Sequence, residues 1–315
     1  MIFVAFQVGL PLLLIAWLAF LPAKSLLAYA FQLLGVGLVL LALGLVALWA
    51  LPPWWTPWLF AALWLVAVVR HLARSARMSP LWPTGTSWVP LICGLALAAV
   101  GGWASVTALA GRSPSPGEIV DIPNPMGPGR YLVAHGGSRE LINVHLKTLN
   151  PDVPRFADWR GQSYAIDLLA INKLGLRVDG LLPPDPARYV IFGRPVHAPC
   201  AGTVTSAENA LPDNRVPRMN RDRMLGNHVL LRCGDVELVF AHLRQGTVQV
   251  EQGQSVSKGA LLGEVGNSGN SSEPPLHIHA QRPSLSDAPA AGEPLALRID
   301  GRYPVRNDVI SGHEW

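Results

Sequence analysis

Residues 242–281 contain the side chains of this sequence that are best suited to chemistry. The stretch starts with a His-Leu pair at the end of a predicted strand, passes through evenly spaced glycines and closes with His-x-His on another predicted strand. In a strand His277 and His279 point to one face, and Leu276 and Ile278 point to the other. Imidazole groups bind metals and transfer protons. The chain contains no G-x-S-x-G elbow and no P-loop pattern, so a serine hydrolase or an NTPase has no support.

The elements that would position these histidines are short strands. After residue 129 the sequence consists of short alternating runs separated by turn residues, which is typical of an all-β sandwich or barrel-like fold of antiparallel sheets. The polar stretch 207–226 is predicted to be a surface loop, and the tail from Pro283 to hold a further loop and a strand near Arg302. The predicted strands are RYLVAH (130–135), LINVHL (141–146), SYAIDLL (163–169), RYVIF (188–192), GTVTS (202–206), NHVLLRC (227–233), VELVFAHL (236–243), ALLGEV (260–265) and LHIHAQ (276–281).

Several motifs recur in a fixed order in this part of the chain. GRPVHAPCAGTV (193–204) has the form G-x-P-V-x-A-P-x-x-G-x-V, GNHVLL (226–231) is followed by FAHL (240–243), and VEQGQSVSKGALLGEVGNSG (250–269) has the glycine spacing of a hairpin. Together these motifs resemble the lysostaphin-type (LytM-like) zinc metallopeptidases, which cleave peptide cross-links of peptidoglycan. The resemblance covers about residues 160–282. It implies a lysostaphin-like β domain, one Zn²⁺ per chain, and peptidoglycan or its peptide stems as the partner.

The resemblance also assigns roles to individual residues. In the family, a His and an Asp from H-x-x-x-D and the second His of H-x-H hold zinc, while the first His of H-x-H and the His of A-H-L assist the attacking water. Carried over, Asp167 and His277 match zinc ligands and His242 matches the assisting histidine. Two positions depart from the pattern, because Ser163 stands where the first ligand is expected and Pro275 where the first histidine of H-x-H is expected. A hydroxyl is a poor zinc ligand beside imidazole, and proline can neither bind zinc nor transfer a proton.

Substitutes for the missing ligand are present. A loop two residues longer would make His277 and His279 an intact H-x-H, which makes His279 an alternative metal ligand. In the predicted strand LINVHL, His145 shares a face with Asn143 and could reach Asp167 from an adjacent strand. The alternative for each of these histidines is an ordinary polar residue on a solvated face. The sequence gives no site role to the other histidines of this part, His135, His197, His228 and His313.

Residues 1–110 differ sharply in composition from the rest of the chain. They contain four basic side chains and no acid, whereas the other 21 basic residues and all 21 acidic residues follow position 110. Apolar runs that approach the ~20 residues needed to span a bilayer lie at about 2–21, 26–50, 53–69 and 88–110. We therefore expect four transmembrane helices in residues 1–110, a Pro- and Gly-rich tether at 111–129, the β domain at 130–282 and a C-terminal tail at 283–315.

Basic residues set the expected orientation of these helices. Lys24 lies in the first loop, and Arg70, Arg74 and Arg77 lie in the third, so the positive-inside rule places both loops in the cytoplasm. Both termini then lie outside. The sequence thus predicts a multi-pass protein of the cytoplasmic (inner) membrane whose C-terminal domain is extracytoplasmic or periplasmic.

An exported domain lies in an oxidising compartment. Cys200 and Cys233 would pair there as a disulfide if their Cα atoms approach within about 7 Å, and would otherwise be two buried thiols. Cys93 falls in the fourth apolar run, where it is expected to act as a small apolar residue.

Two functions stay open on the sequence. The first is a membrane-anchored zinc metalloendopeptidase that acts on peptidoglycan cross-links by zinc-activated water. The second is a catalytically degenerate domain of the same fold that binds peptidoglycan or regulates a partner wall hydrolase. A transporter or sensor formed by the helices has little support, because the helix interiors lack charged residues. Nothing suggests a nucleic-acid partner, since the part after residue 110 is formally neutral.

Overall fold

A computed structural model describes residues 2–74, 80–85, 88–284 and 288–315. The chain divides into two compact units, Met1–Ala110 and Gly111–Trp315. The first unit is helical, and the second consists of strands and short 3₁₀ helices. Arg77, one of the residues that set the expected orientation, lies outside the described residues.

Helices occupy all the apolar runs of the first unit. Within the described residues they are α1 (Ile2–Phe20), α2 (Leu26–Val46), α3 (Thr56–Arg74) and α4 (Trp88–Ala110). By length and composition, α2 and α4 are able to cross a membrane. The apolar parts of α1 and α3 are shorter, at Phe6–Phe20 and Thr56–Leu72. Two of the four expected spans are therefore both long enough and apolar enough to cross a membrane, and the other two are shorter.

Glycines allow α2 to pack closely against α4. A Cβ atom on Gly35 would lie 2.5 Å from the carbonyl oxygen of Gly94, and one on Gly101 would lie 2.7 Å from the backbone of Leu38. Larger side chains at these positions would collide with backbone atoms. Small residues thus set how near the two helix axes come, as is common for helix pairs in membranes.

The second unit is a largely antiparallel β domain. In the described part of the chain its strands are β1 (Ile119–Ile122), β2 (Gly129–His135), β3 (Ile166–Ile171), β4 (Pro195–His197), β5 (Gly202–Glu208), β6 (Asn227–Cys233), β7 (Val236–Leu243), β8 (Ser255–Val256), β9 (Leu261–Glu264), β10 (Leu276–Arg282), β11 (Glu293–Ile299) and β12 (Val309–Gly312). The 3₁₀ helices, called first to third in chain order, are Val144–Leu149, Pro154–Tyr164 and Pro186–Arg188.

The main sheet places the motif-bearing strands side by side. Its hydrogen-bonded order is β12-β2-β3-β10-β7-β6-β5-β8, while β11 pairs with the far end of β10 and β1 pairs with β11. β4 and β9 form a separate two-stranded sheet. Strands β3, β10 and β7 are therefore neighbours, and residues from all three can meet on one face of the sheet.

Alternation along these strands separates the core from the site. Leu168, Phe240 and Ile278 are buried in the main hydrophobic core. The intervening residues point to the opposite face, which carries Asp167 and His277. The predicted antiparallel, sheet-rich domain is confirmed.

Two segments expected to lie outside the β domain belong to its sheet. β1 falls within the expected tether at 111–129 and runs parallel to β11, with Val120 opposite Leu297. β11 and β12 come from the expected C-terminal tail, and β12 pairs with β2. The tail is expected to hold one strand near Arg302. It holds two, β11 before that residue and β12 after it, while Arg302 itself only forms a bridge to Ile299. These pairings join distant parts of the chain, so the local pattern does not reveal them.

Two predicted strands are wrong. LINVHL (141–146) enters the first 3₁₀ helix, because the side-chain oxygen of Asn143 accepts the backbone N–H of His145 and caps the helix. RYVIF (188–192) follows the third 3₁₀ helix and turns, with the backbone N–H of Phe192 donating to the carbonyl of Tyr189. Local side-chain capping and turning override the alternating pattern in both segments.

A disulfide joins Cys200, between β4 and β5, to Cys233 at the end of β6, with the two Cα atoms 6.2 Å apart. This distance lies in the ordinary range for disulfides. Cys93 lies in α4 without a disulfide partner among the described residues.

Candidate metal centre

Three potential metal ligands from three different elements converge in the second unit. His145 comes from the first 3₁₀ helix, Asp167 from β3 and His277 from β10. Their ligand atoms all lie within 4.8 Å of one another. β3 and β10 pair with His277 directly opposite Asp167, so the strand ladder sets the distance between these two groups. The third side chain is brought to them by a helix instead of a strand.

The Asp167 carboxylate is hydrogen-bonded to both histidines. Its Oδ2 is 2.9 Å from Nε2 of His145, and its Oδ1 is 2.8 Å from Nδ1 of His277. Burial alone would raise the pKa of Asp167, but the charges and hydrogen bonds of His145 and His277 outweigh it and hold the pKa well below its ordinary value. Asp167 is therefore ionised at neutral pH, the state in which a carboxylate binds a cation.

This donor set fits zinc. Two imidazoles and a carboxylate form one of the usual three-ligand sets of catalytic zinc sites. Ligand atoms of a tetrahedral zinc, with bonds of about 2.0–2.1 Å, lie roughly 3.3 Å apart. The hydrogen-bonded pairs at 2.8 and 2.9 Å are closer than this by about half an ångström. Small side-chain shifts would therefore admit the ion in place of the two shared protons.

His279 contacts His277 behind this cluster. Its Nδ1 lies 3.0 Å from Nε2 of His277, and its side chain is fully buried. Among the described residues it is not part of the three-ligand group, and the strand pairing sets His277, not His279, opposite Asp167. A metal-bound histidine ordinarily uses its second ring nitrogen for a hydrogen bond that fixes the ring. His279 has the position of that hydrogen-bond partner.

The two positions that depart from the family motif are both buried and offer no ligand to this centre. Ser163 is fully buried in the second 3₁₀ helix, where its hydroxyl is 2.6 Å from the carbonyl oxygen of Arg160 and 2.8 Å from Oγ1 of Thr148. Pro275 is buried immediately before β10. Neither residue belongs to the His145, Asp167 and His277 group.

His242 faces the same centre from the end of β7. Its ring centroid is 5.6 Å from that of His277. The backbone has a positive φ of 62°, which is uncommon for a residue with a side chain and turns the ring out of the strand. Nδ1 donates a hydrogen bond to the carbonyl oxygen of Ser268 at 2.9 Å, so Nε2 carries the lone pair of the neutral ring.

The environment of His242 keeps it neutral. Burial and, after it, the charge of His277 lower the pKa of His242 from 6.5 to about 4. At neutral pH the imidazole is therefore a base with a defined tautomer. The unprotonated Nε2 is therefore able to accept a proton.

His135 adjoins the centre, although its sequence context gave no reason to select it. The ring of His135 packs edge-on against that of His145, with the centroids 5.5 Å apart. Its Nδ1 accepts hydrogen bonds from a guanidinium nitrogen of Arg306 at 2.8 Å and from the backbone N–H of Val144 at 3.4 Å. Burial lowers the pKa of His135 to about 3. Arg306 lies in the expected C-terminal tail, 171 residues from His135, so this contact joins residues that no local pattern connects.

The remaining histidines lie apart from the three-ligand group. His197 contacts the carbonyl of Gly259 and stacks on Trp315. His228 bonds to the carbonyl of Gly226 and the hydroxyl of Ser206. It also lines a cavity of about 310 Å³ together with residues such as Trp159 and Met224.

Comparison with known proteins matches part of this domain to a described family. Residues 189–289 match the sequence model of the family described as Peptidase family M23. The predicted resemblance to the lysostaphin-type peptidases is thereby confirmed. The matched region includes His242 and His277 but begins after His145 and Asp167. No curated protein matches the sequence.

Solved structures also align with part of the chain. The catalytic domain of the prophage-encoded M23 protein EnpA from Enterococcus faecalis aligns at 20% identity over 38% of this chain and 68% of its own, with a TM-score of 0.26. A putative peptidase M23 from Pseudomonas aeruginosa aligns at 27% identity over 33% of this chain and 42% of its own, with a TM-score of 0.23. The catalytic domain of lysostaphin from Staphylococcus simulans aligns at 21% identity over 41% of this chain and 74% of its own, with a TM-score of 0.26. The alignment thus spans less than half of the Pseudomonas chain, and because these TM-scores are low, the family resemblance rests on the sequence match.

Proposed function

We propose that this chain, which carries a Peptidase family M23 domain at residues 189–289, is a membrane-anchored zinc metallopeptidase that cleaves peptide cross-links of peptidoglycan. The observation that carries the proposal is the convergence of His145, Asp167 and His277, with His242 beside them. The family match supports the peptidase activity and the wall substrate. The geometry supports a complete set of ligands in spite of the substitution at Ser163.

The chain's own groups have distinct tasks in this proposal. Zinc held by His145, Asp167 and His277 would supply Lewis-acid activation of water near neutral pH. Asp167 contributes the negative charge that offsets the ion, and His279 fixes the ring of His277 through the 3.0 Å contact. His242 accepts a proton at Nε2 during attack and returns it to the leaving amine. The lowered pKa keeps its ring neutral, and the hydrogen bond from Nδ1 to Ser268 leaves Nε2 free to accept the proton.

Surface exposure in the first unit supports membrane anchoring. Only 28% of the most apolar window of α2 and 22% of that of α4 are buried within the structure. Core helices of soluble proteins are mostly buried, whereas these helices turn apolar side chains outward. We propose that all four helices cross the cytoplasmic membrane, with α1 and α3 as shorter or tilted spans. The M23 domain then lies on the extracytoplasmic side, where peptidoglycan is found.

The test of this function is zinc content and cleavage by the full-length protein purified in detergent. We expect about one zinc per chain, and cleavage of cross-linked wall peptides that a chelator stops and added zinc restores. Asp167→Asn should lose both, because it removes the charged ligand. Asp152→Asn, at an exposed position outside the site, is the matched control and should lose neither. Absence of zinc from the wild type after incubation with the metal would overturn the proposal.

One observation favours a second candidate, a degenerate domain that binds peptidoglycan or regulates a partner wall hydrolase. Pro275 occupies the position at which the family motif has a proton-transferring histidine, and proline cannot transfer a proton. This candidate predicts no turnover and sedimentation with purified peptidoglycan that a chelator does not change. Chelator-sensitive cleavage would exclude it.

A further inference from the structure

Ser163 and Thr148 form a buried hydroxyl pair beneath the helix that carries His145. Ser163 is fully buried and Thr148 is 7% exposed. Their hydroxyl oxygens lie 2.8 Å apart. Oγ1 of Thr148 is also 2.8 Å from the backbone carbonyl oxygen of His145, and Oγ of Ser163 is 2.6 Å from that of Arg160.

The number of hydroxyl hydrogens limits which hydrogen bonds this pair can form at one time. Three oxygen-to-oxygen contacts share two hydroxyl protons, so one contact has no hydrogen at a given moment. The hydroxyl of Ser163 can donate either to the carbonyl of Arg160 or to Thr148. In the second arrangement Thr148 donates to the carbonyl of His145. A continuous chain of hydrogen bonds then runs from Ser163 to the backbone of His145. Because both hydroxyls are buried, water cannot readily substitute for either of them.

The hydroxyl pair connects the helix that carries His145 with the segment that precedes Asp167. Thr148 lies in the first 3₁₀ helix three residues after His145, and Ser163 lies in the second 3₁₀ helix four residues before Asp167. A 3₁₀ helix has poorer hydrogen-bond geometry than a strand ladder and rarely forms long runs. Its position must therefore come from tertiary contacts. Asn143 ties the start of the first helix to the carbonyls of Gly137 and Ala165, and the hydroxyl pair ties its later turn.

We propose that Ser163, acting through Thr148, is a positioning residue that holds His145 in contact with the Asp167 carboxylate. The inference rests on the proposed zinc function, since His145 matters only if it is a ligand. Removal of either hydroxyl frees the helix turn, and His145 then spends less time at 2.9 Å from Asp167. Loss of a residue that orients a metal ligand typically weakens metal affinity by about 10–100-fold.

The test compares zinc affinity across matched variants of the full-length protein in detergent, measured by competition with a chromophoric chelator. Ser163→Ala and Thr148→Val should each raise the zinc Kd by about tenfold or more. Thr148→Ser keeps the hydroxyl and should restore wild-type affinity. Ser138→Ala removes another buried hydroxyl, which bonds to the carbonyl of Ser113, and should leave the Kd unchanged.

A spectroscopic measurement separates positioning from general stability. Co²⁺ in place of zinc reports the ligand arrangement through its visible absorption. Ser163→Ala and Thr148→Val should alter the intensity and position of that band, while Ser138→Ala should not. Wild-type affinity and an unchanged Co²⁺ spectrum in both variants would overturn the inference. If Ser163→Ala does not fold, Thr148→Val against Thr148→Ser decides, and equal affinity in those two overturns it.

The outcomes distinguish this inference from the proposed function. If the wild-type protein binds no zinc, the proposed function itself fails. If the wild type binds zinc in a manner that depends on His277, and the hydroxyl variants bind it equally well, only the positioning role fails.

Discussion

The two halves of the candidate metal centre are held by different kinds of structure. Asp167, His277 and His242 lie on adjacent strands, whose pairing fixes His277 opposite both Asp167 and Ala241. His145 lies on a 3₁₀ helix with no ladder partner and depends on a cap and on buried hydroxyls. The first group is called here the strand half, and His145 with its supporting contacts is called the helix half. A ligand on a paired strand is held in place by the backbone hydrogen bonds of the sheet. A ligand on a short helix is held only by a few local side-chain contacts.

This difference suits the proposed site, whose three candidate ligands converge although the family motif is incomplete. The substitution at Ser163 removes a ligand position from the segment before β3, outside the strand ladder. A histidine from a neighbouring helix approaches the same carboxylate from its free side, at 2.9 Å from Oδ2.

The largest expected effect tests whether the two halves contribute equally to metal binding. His145→Ala and His277→Ala should each weaken zinc binding by roughly a thousandfold, or about 4 kcal/mol, because each removes one of three ligands. The measurement is chelator competition on the full-length protein. His313→Ala, outside the described ligand group, is the control. If His145→Ala binds zinc as the wild type does while His277→Ala does not, the helix half is not part of the site.

The next effect separates metal binding from catalysis within the strand half. His242→Ala should retain zinc within about threefold, because the residue is not one of the three clustered ligands. Turnover on cross-linked wall peptides should fall by about 10²–10⁴, the usual contribution of a general base. Zinc content and cleavage are measured on the same preparation. A large loss of zinc would instead make His242 a ligand.

The strand half could be predicted from the sequence, and the reason is local. Alternation and evenly spaced glycines mark β3, β7 and β10, and a motif gives each functional position. The helix half does not follow from the local pattern, because LINVHL predicts a strand that would bring His145 to Asp167. The capping hydrogen bond of Asn143 produces a 3₁₀ helix instead, yet the side chain still reaches the carboxylate. His135 was missed because its partner Arg306 lies 171 residues away in the chain.

A smaller effect tests whether loss of the disulfide changes zinc binding by the strand half. Cys200 and Cys233 close a loop with a separation of 33 residues. Loop-closure entropy then gives about 3–4 kcal/mol of stability. The double variant Cys200→Ser with Cys233→Ser should lower the free energy of unfolding of the β domain by about that amount, measured by urea-dependent hydrogen exchange on β6. Zinc affinity should stay within about threefold of the wild type, because β3 and β10 are not tied by this bond. A parallel loss of zinc would show that the two regions are coupled.

The smallest expected effect is a loosening of the helix half on mild acidification. Burial lowers the pKa of His135 to about 3, below the 6.5 of an unfolded chain. As pH falls from about 6.5 towards 3, His135 becomes protonated in the unfolded state but stays neutral in the folded state. The free energy of unfolding therefore falls, by at most about 1.4 kcal/mol per pH unit for this one group. Above pH 6.5 the His135 ring is neutral in both states, so the free energy of unfolding is not reduced by this group.

Hydrogen exchange of β2 and the first 3₁₀ helix in metal-free protein, corrected for intrinsic rates at pH 7 and pH 5, measures this effect. His135→Asn should reduce the pH dependence there, because asparagine does not titrate, whereas His313→Asn should preserve it. The contact between His135 and His145 leads us to expect the first 3₁₀ helix to open before the β3–β10 ladder does. Simultaneous opening of helix and ladder would mean that the two halves are one cooperative unit, and the helix half would then owe its position to the whole sheet instead of to its own local contacts.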